Sequence, residues 1–383
     1  MINYVDENHP NSEDLCVTDG FLPWAVDYHK TLPEFKKRPI TTLVIENFKK
    51  AFNLKTSIAF VWVNFSFIFL CGFLIYYLAI LYSLSHLSSL MSVVFFYSSF
   101  SVLMAYFIPI ATYDEPIQYF FILSSLIALR KKIMSLFVVT FTLAIITRES
   151  SLILMPAIVL FLIDIDFRKI FQNKIKTILL LIPIFFPVVL YALFLRWFYK
   201  INPQIIDETK SVLSDRFLNY QKNFRDIENI SRTILSFTSV CLLPIFLVTF
   251  HKLTNKSTSC EPKLIFAFWV TFCINTVIIL LSVFAEESRV FTLPLLFLFP
   301  IYGKIIRSVL NFSPSFIRYI IHPKRIIFLF LIVVLSWVFF DFAYKLTTFK
   351  MSDNLYREYN TFSIIMIGLI ILYRSYSIKQ IKI

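Results

Sequence analysis

Apolar runs recur along this sequence from Ile58 to Tyr373, and several reach the roughly 20 residues that cross a hydrocarbon core. No other feature narrows the fold as much. Within lipid a backbone must satisfy its own hydrogen bonds, and runs of this length do so as helices. The weak ten-residue alternation of an outer-membrane barrel is absent. Composition agrees, since 58% of the 383 residues are hydrophobic and 16% charged, against about 25% in soluble domains. The expected fold is all-α, a polytopic transmembrane helical bundle.

Eleven spans are expected, near 58–82, 90–111, 117–129, 133–147, 151–163, 177–198, 233–250, 264–284, 290–302, 326–344 and 362–373. Residues 1–57 form an extracytoplasmic segment, and 58–383 form the bundle with a larger outer loop at 199–232. With the amino-terminal segment outside, the inner loops carry 18 Lys/Arg against three acids, Asp164, Asp166 and Glu261. Short basic loops stay on the cytoplasmic side, which fixes this orientation and leaves the carboxy terminus inside. The net charge of +13 is therefore a topology signal and not a nucleic-acid footprint. The five cysteines are scattered, and the histidines at 9, 29, 86, 251 and 322 have no metal-ligand spacing.

Residues 1–57 hold eight acids and seven Lys/Arg but no apolar run long enough for a signal peptide. A charged segment exported in this way normally follows a helix, so one is expected upstream of Met1. Ile40, Leu43, Val44, Phe48, Ala51 and Phe52 recur at helical spacing beside Lys49 and Lys50, as in a helix lying in the membrane interface. Leu213, Phe217, Tyr220, Phe224, Ile227 and Ile234 form a second such stripe. Two interfacial helices would roof a shallow outer chamber.

Charge inside the expected spans is confined to Arg196 and Asp341, both near outer ends. An ion-coupled transporter needs carboxylates near the midplane, so pumping is disfavoured. Polar chemistry gathers instead in three tight outer turns. These are Tyr113-Asp114-Glu115-Pro116, Thr147-Arg148-Glu149-Ser150 and Glu286-Glu287-Ser288-Arg289. Carboxylates brought together there offer a general base or a seat for a divalent cation, and arginines grip phosphate in a bidentate fork. Taken singly, each turn reads better as charge anchoring a helix end at the interface; three such turns on one face point towards a site.

These turns also carry a resemblance. Thr18-Asp19-Gly20 through Arg38-Pro39-Ile40 looks like the end of a large first outer loop, and Val63-Asn64 lies in the span after it. Tyr113-Asp114-Glu115-Pro116 above the basic Arg130-Lys131-Lys132 turn follows, then Thr147-Arg148-Glu149-Ser150 and a helix containing Pro156. Over about residues 15–165 the pattern resembles bacterial members of the GT-C superfamily, integral membrane glycosyltransferases that use lipid-phosphate-linked sugars.

The resemblance implies a bacterial inner-membrane enzyme moving a sugar from a polyprenyl-phosphate donor to a glycan, lipid or protein acceptor at the outer face. It implies Asp19 as base with Asp27 in reserve, and Asp114 and Glu115 orienting the acceptor or holding a divalent cation. Arg148 and Arg289 would pair with the lipid phosphate, positioned by Glu149, Glu286 and Glu287. A polysaccharide polymerase or ligase also joins lipid-linked glycans at this face, but segment 199–232 has three arginines and lacks the histidine expected of that class. A non-catalytic subunit of an envelope assembly is the remaining class.

Overall fold

The computed structural model describes residues 20–105, 112–162, 174–205, 219–254, 261–310, 313–347 and 355–381, and every element among them is helical. Helices α1 (Phe21–Thr31), α2 (Pro33–Lys36) and α3 (Pro39–Phe52) precede the first long helix, α4 (Thr56–Leu81). Proline opens α2 and α3, at a position where its missing N–H costs nothing. α3 stops at Asn53, whose left-handed backbone (φ 49°) suits asparagine.

After α4 come α5 (His86–Tyr97), α6 (Glu115–Arg130) and α7 (Met134–Thr147). A 3-10 stretch, Glu149–Leu154, leads into α8 (Met155–Leu162), followed by α9 (Lys174–Ile201), α10 (Asn219–Phe224), α11 (Ile227–Thr254) and α12 (Glu261–Ser282). A second 3-10 stretch, Ser288–Phe297, bends by 80° into α13 (Phe299–Val309). The chain continues through α14 (Pro314–Ile320), α15 (Pro323–Lys345) and α16 (Tyr356–Ile381).

Six helices are long and apolar enough to cross a membrane: α4, α9, α11, α12, α15 and α16. The bent pair ending in α13 makes a seventh if it is counted as one span. The remaining expected spans, at 90–111, 117–129, 133–147 and 151–163, correspond to shorter elements. α5, α6 and α7 have 12, 16 and 14 residues. At 1.5 Å per residue these reach about 18–24 Å, short of a hydrocarbon core of about 30 Å. Hydropathy alone cannot separate a full crossing from a shorter helix buried in protein, which is why eleven runs read alike.

Packing distinguishes core from lipid-facing surface. Ile68, Cys71, Ile75 and Leu78 of α4 are buried in one cluster with Ile122 and Leu126 of α6 and Phe137 and Phe141 of α7. α15 instead turns Phe330, Leu335, Phe339 and Phe342 outward, as a helix bordering lipid does. α5 and α13 cross closely at Gly303, where a Cβ would collide with the Ser88 carbonyl and the Ser92 amide. Ser92 Oγ accepts from the Gly303 N–H at 2.9 Å and donates to the Pro300 carbonyl at 3.3 Å.

The polar residues divide between two ends of the bundle. At one, Arg307 donates to Ser85 and Ser88, His251 bonds Ser308 at 2.6 Å, and Arg130 reaches the Leu81 carbonyl at 3.3 Å. At the other stand the three charged turns and the α2–α3 junction.

The two apolar stripes are divided between packed and exposed residues. In α3 the fully buried face is Thr41 and Ile45, with Ile40, Val44 and Phe48 packed nearby, whereas Leu43 and Phe52 point outward. Leu43 lies two positions from Ile45, hence on the far side of a 3.6-residue helix. In the second stripe Tyr220, Phe224, Ile227 and Ile234 are exposed, and Leu213 and Phe217 lie outside the described residues. α10 is fastened by asparagines instead. Asn219 donates to the Ser282 carbonyl, and Asn223 donates to the Leu280 and Val283 carbonyls while accepting from the Ala285 N–H. These are the carbonyls that α12 leaves open at its carboxy end, so the polar residues supply the contact that the apolar ones do not.

Candidate functional site

The short turns leave their charged residues little freedom, and the bundle gathers them. Asp114 ends the α5–α6 connection and Glu115 opens α6; their side chains are almost wholly buried, about 3% exposed. A carboxylate hidden to that degree needs partners. Glu115 finds two guanidinium groups: Arg148, at the end of α7, pairs with its Oε1, and Arg289 Nε lies 3.3 Å from the same oxygen. Its other oxygen accepts the Tyr113 N–H at 3.1 Å. Glu115 is thus the shared counterion of two arginines.

Asp114 faces the α2–α3 junction. Thr41 Oγ1 donates to its Oδ1 at 2.7 Å, and Arg38 Nη1 stands 3.9 Å from its Oδ2. Arg38 turns its main grip on Glu149, placing Nε and Nη2 each 2.6 Å from Oε2. Lys37 Nζ approaches the other Glu149 oxygen at 2.6 Å. Glu287 holds Arg289 at 2.9 Å. Four cations (Lys37, Arg38, Arg148, Arg289) and four carboxylates (Asp114, Glu115, Glu149, Glu287) therefore meet at one end of the bundle.

The electrostatics are uneven. Burial pushes the Asp114 carboxyl up despite the opposing pull of Arg38 and the Thr41 bond. Burial also works against the Glu149 charge, but Arg38 and Lys37 outweigh it and hold this carboxyl at about 2. Arg148 is lowered to about 10 by burial and by repulsion from Arg289 and Arg38. Burial, with the charges of Arg38, Arg289 and Arg148, brings the His29 imidazole down to about 3. Arg148 thus feels repulsion from two neighbouring guanidinium groups, which the carboxylates paired with them partly offset.

A cavity of about 480 Å³ opens beside them, within the usual range for a ligand site. Lys37, Arg38, Glu115, Arg148, Glu149 and Arg289 form its charged part. Leu152, Ile153, Ile278, Ile279, Val283 and Leu293 form an apolar wall, with Tyr191 of α9 also lining it. Gln118 lines it too, its amide donating to Ser150 and Ser151 at 3.0 and 2.8 Å. The space suits a molecule with an anionic head and an apolar body.

Several sequence-derived roles change. Asp19 lies outside the described residues. Asp27, on α1, is 72% exposed at its side chain and pairs with Lys30 at 3.6 Å, so it joins the outer surface and not the cluster. Glu149 positions Arg38, not Arg148. Glu286 is drawn away to Arg232 at 2.9 Å, and Arg232 also pairs with Glu228. Among the described residues no group of three or more His, Cys, Asp or Glu is placed to hold a metal ion, because arginines take up the carboxylate oxygens. Lys37 and His29 carried no signal in the sequence, and Arg38 stood out only as part of a loose motif.

Compared with protein families, curated proteins and solved structures, the chain shows no match.

Proposed function

We propose that this chain is a membrane glycosyltransferase of GT-C-like architecture, moving a sugar from a polyprenyl-phosphate donor to an acceptor at the extracytoplasmic face. One observation carries the reading: Arg38, Arg148 and Arg289 stand at the charged end of a cavity whose other wall is apolar. Planar guanidinium forks match phosphate oxygens, and an apolar wall matches a hydrocarbon tail. In this scheme the arginines hold the donor phosphate and stabilise the charge that gathers on it as the sugar leaves. Glu115, Glu287 and Glu149 fix the arginines, and Asp114 ties Arg38 to Thr41 on α3. The shorter helices α5 to α8 would complete an eleven-crossing chain in a bacterial inner membrane.

Cells lacking the chain should accumulate a polyprenyl-phosphate-linked sugar and lose one glycan product. Wild-type protein should reverse both changes and Arg289→Ala should reverse neither. Equal rescue by Arg289→Ala would remove the phosphate-binding role.

The orientation is checked separately. In a cysteine-free background, single cysteines replacing the exposed Tyr220 and Ile317 should label oppositely with an impermeant thiol reagent applied to intact cells. Position 220 should react and position 317 should stay silent until the membrane is opened. The same response at both would overturn the assignment of the charged turns to the outer face.

A further inference from the structure

Two amide side chains line the charged cavity without a part in the phosphate-binding scheme. Gln118 lies one turn along α6 from Glu115, and Asn275 lies on α12. Both are almost wholly buried, 1% and 2% exposed. Asn275 Nδ2 donates to the Val290 carbonyl at 3.0 Å, next to Arg289; a carbonyl can only accept, so the orientation of this amide is fixed. Gln118 Nε2 donates to Ser150 and Ser151. Ser151 donates its own hydrogen to the Ala144 carbonyl at 2.9 Å, so here too the amide nitrogen must face the serine.

What these amides leave over is their oxygens. Neither Gln118 Oε1 nor Asn275 Oδ1 accepts a hydrogen bond from a described residue, and neither is sealed from the cavity. Asn275 also keeps one N–H. By contrast Tyr119 bonds Thr292, Tyr191 bonds Glu149, and Ser282 donates to the Ile278 carbonyl at 2.7 Å. A buried polar group is costly until something bonds it.

A glycosyl phosphate keeps its ring beside its phosphate, with a single oxygen between phosphorus and the anomeric carbon. A phosphate held by Arg148 and Arg289 therefore brings ring hydroxyls within reach of Gln118 and Asn275. Hydroxyls both donate and accept, which suits two amide oxygens and a spare N–H. A carboxylate on the ring would set acceptor against acceptor. An ammonium would find Glu115, Glu149 and Glu287 already paired with Lys37 and the arginines.

We propose that Gln118 and Asn275 read the sugar, their oxygens accepting hydrogen bonds from hydroxyls of an uncharged ring whose phosphate the arginines hold. The proposal rests on the lipid-phosphate reading above. A site built to bond hydroxyls rejects a ligand that lacks them, because its own polar groups are then left unpaired. The two amides thus make the cavity selective for a lipid phosphodiester that carries a sugar.

The test uses the full chain in phosphatidylcholine nanodiscs and farnesyl phosphodiesters as probes, with affinity read by isothermal titration calorimetry. One probe carries methyl and the others carry glucose, mannose, galactose or arabinose, so all have the same charge. Wild-type protein should bind at least one sugar diester about tenfold or more tighter than the methyl diester. In Gln118→Met and in Asn275→Leu that preference should fall about fivefold or more, while the methyl diester binds as before. Gln118→Ala and Asn275→Ala take their place if the first substitutions weaken the methyl diester too. If the alanine variants also lose it, the amides hold the cavity together and do not read the sugar. A variant that keeps the full preference removes its residue from the role. If wild type binds sugar and methyl diesters alike, the proposal is overturned and the phosphate site stands. If it binds none of the probes, both fall.

Discussion

Exchanging Arg148 for lysine is expected to slow sugar transfer by about 10²- to 10³-fold, the usual cost of losing one preorganised donor at a developing charge. Lysine keeps the positive charge opposite Glu115, so the protein should remain folded and be recovered in normal amounts. What disappears is the planar pair of N–H groups, which an ammonium cannot present to two phosphate oxygens at once. The measurement is turnover of lipid-linked donor by membranes containing equal amounts of each protein. A lysine variant within a few fold of wild type would show that Arg148 serves only to neutralise Glu115.

Glu115→Gln should produce a different failure. The wild-type carboxylate is buried against Arg148 and Arg289, and the glutamine amide is nearly isosteric but carries no charge. Two partly buried guanidinium groups would lose their shared, buried partner, and breaking a buried pair from one side costs up to about 3–5 kcal/mol. The variant should unfold at markedly lower temperature in detergent, followed by intrinsic fluorescence, and should accumulate poorly in membranes. Adding Arg148→Met to it should recover part of the lost stability while transfer stays abolished. An unchanged melting temperature in the single variant would mean that the two arginines find other counterions.

Much of the fold was legible because the hydrocarbon core imposes a length on any helix that crosses it. The expected runs at 58–82, 177–198, 233–250, 264–284, 326–344 and 362–373 correspond to α4, α9, α11, α12, α15 and α16, with ends that differ by one to eight residues. The four shorter runs read like the long ones, since buried and lipid-facing helices are equally apolar. The convergence of the three turns was also legible, because tight turns at one face leave their charges nowhere else to go. The pairing inside the cluster was not. Glu149 precedes an arginine-free apolar helix and follows Arg148 directly, yet it bonds Arg38, 111 residues away. Adjacent residues on an extended backbone such as that at Arg148 project to opposite sides, and this depends on φ and ψ rather than on composition. His29 had no motif around it; its stacking on Tyr113 is a tertiary event. Asp27 stood out in the sequence as an acid in the right segment, but α1 carries it on the outward side beside Lys30.

Asn223 acts at a distance from all of this. Its amide nitrogen caps two carbonyls at the end of α12, and its oxygen takes the Ala285 N–H, so one side chain sets the path of the backbone just before Glu286. The direction in which Arg289 leaves that turn is therefore encoded 66 positions earlier, in a short helix that does not line the cavity. A natural variant at 223 would present as a defect of the charged cavity although it does not line it. Anyone mapping inactive alleles onto this protein should expect an outlying hit there.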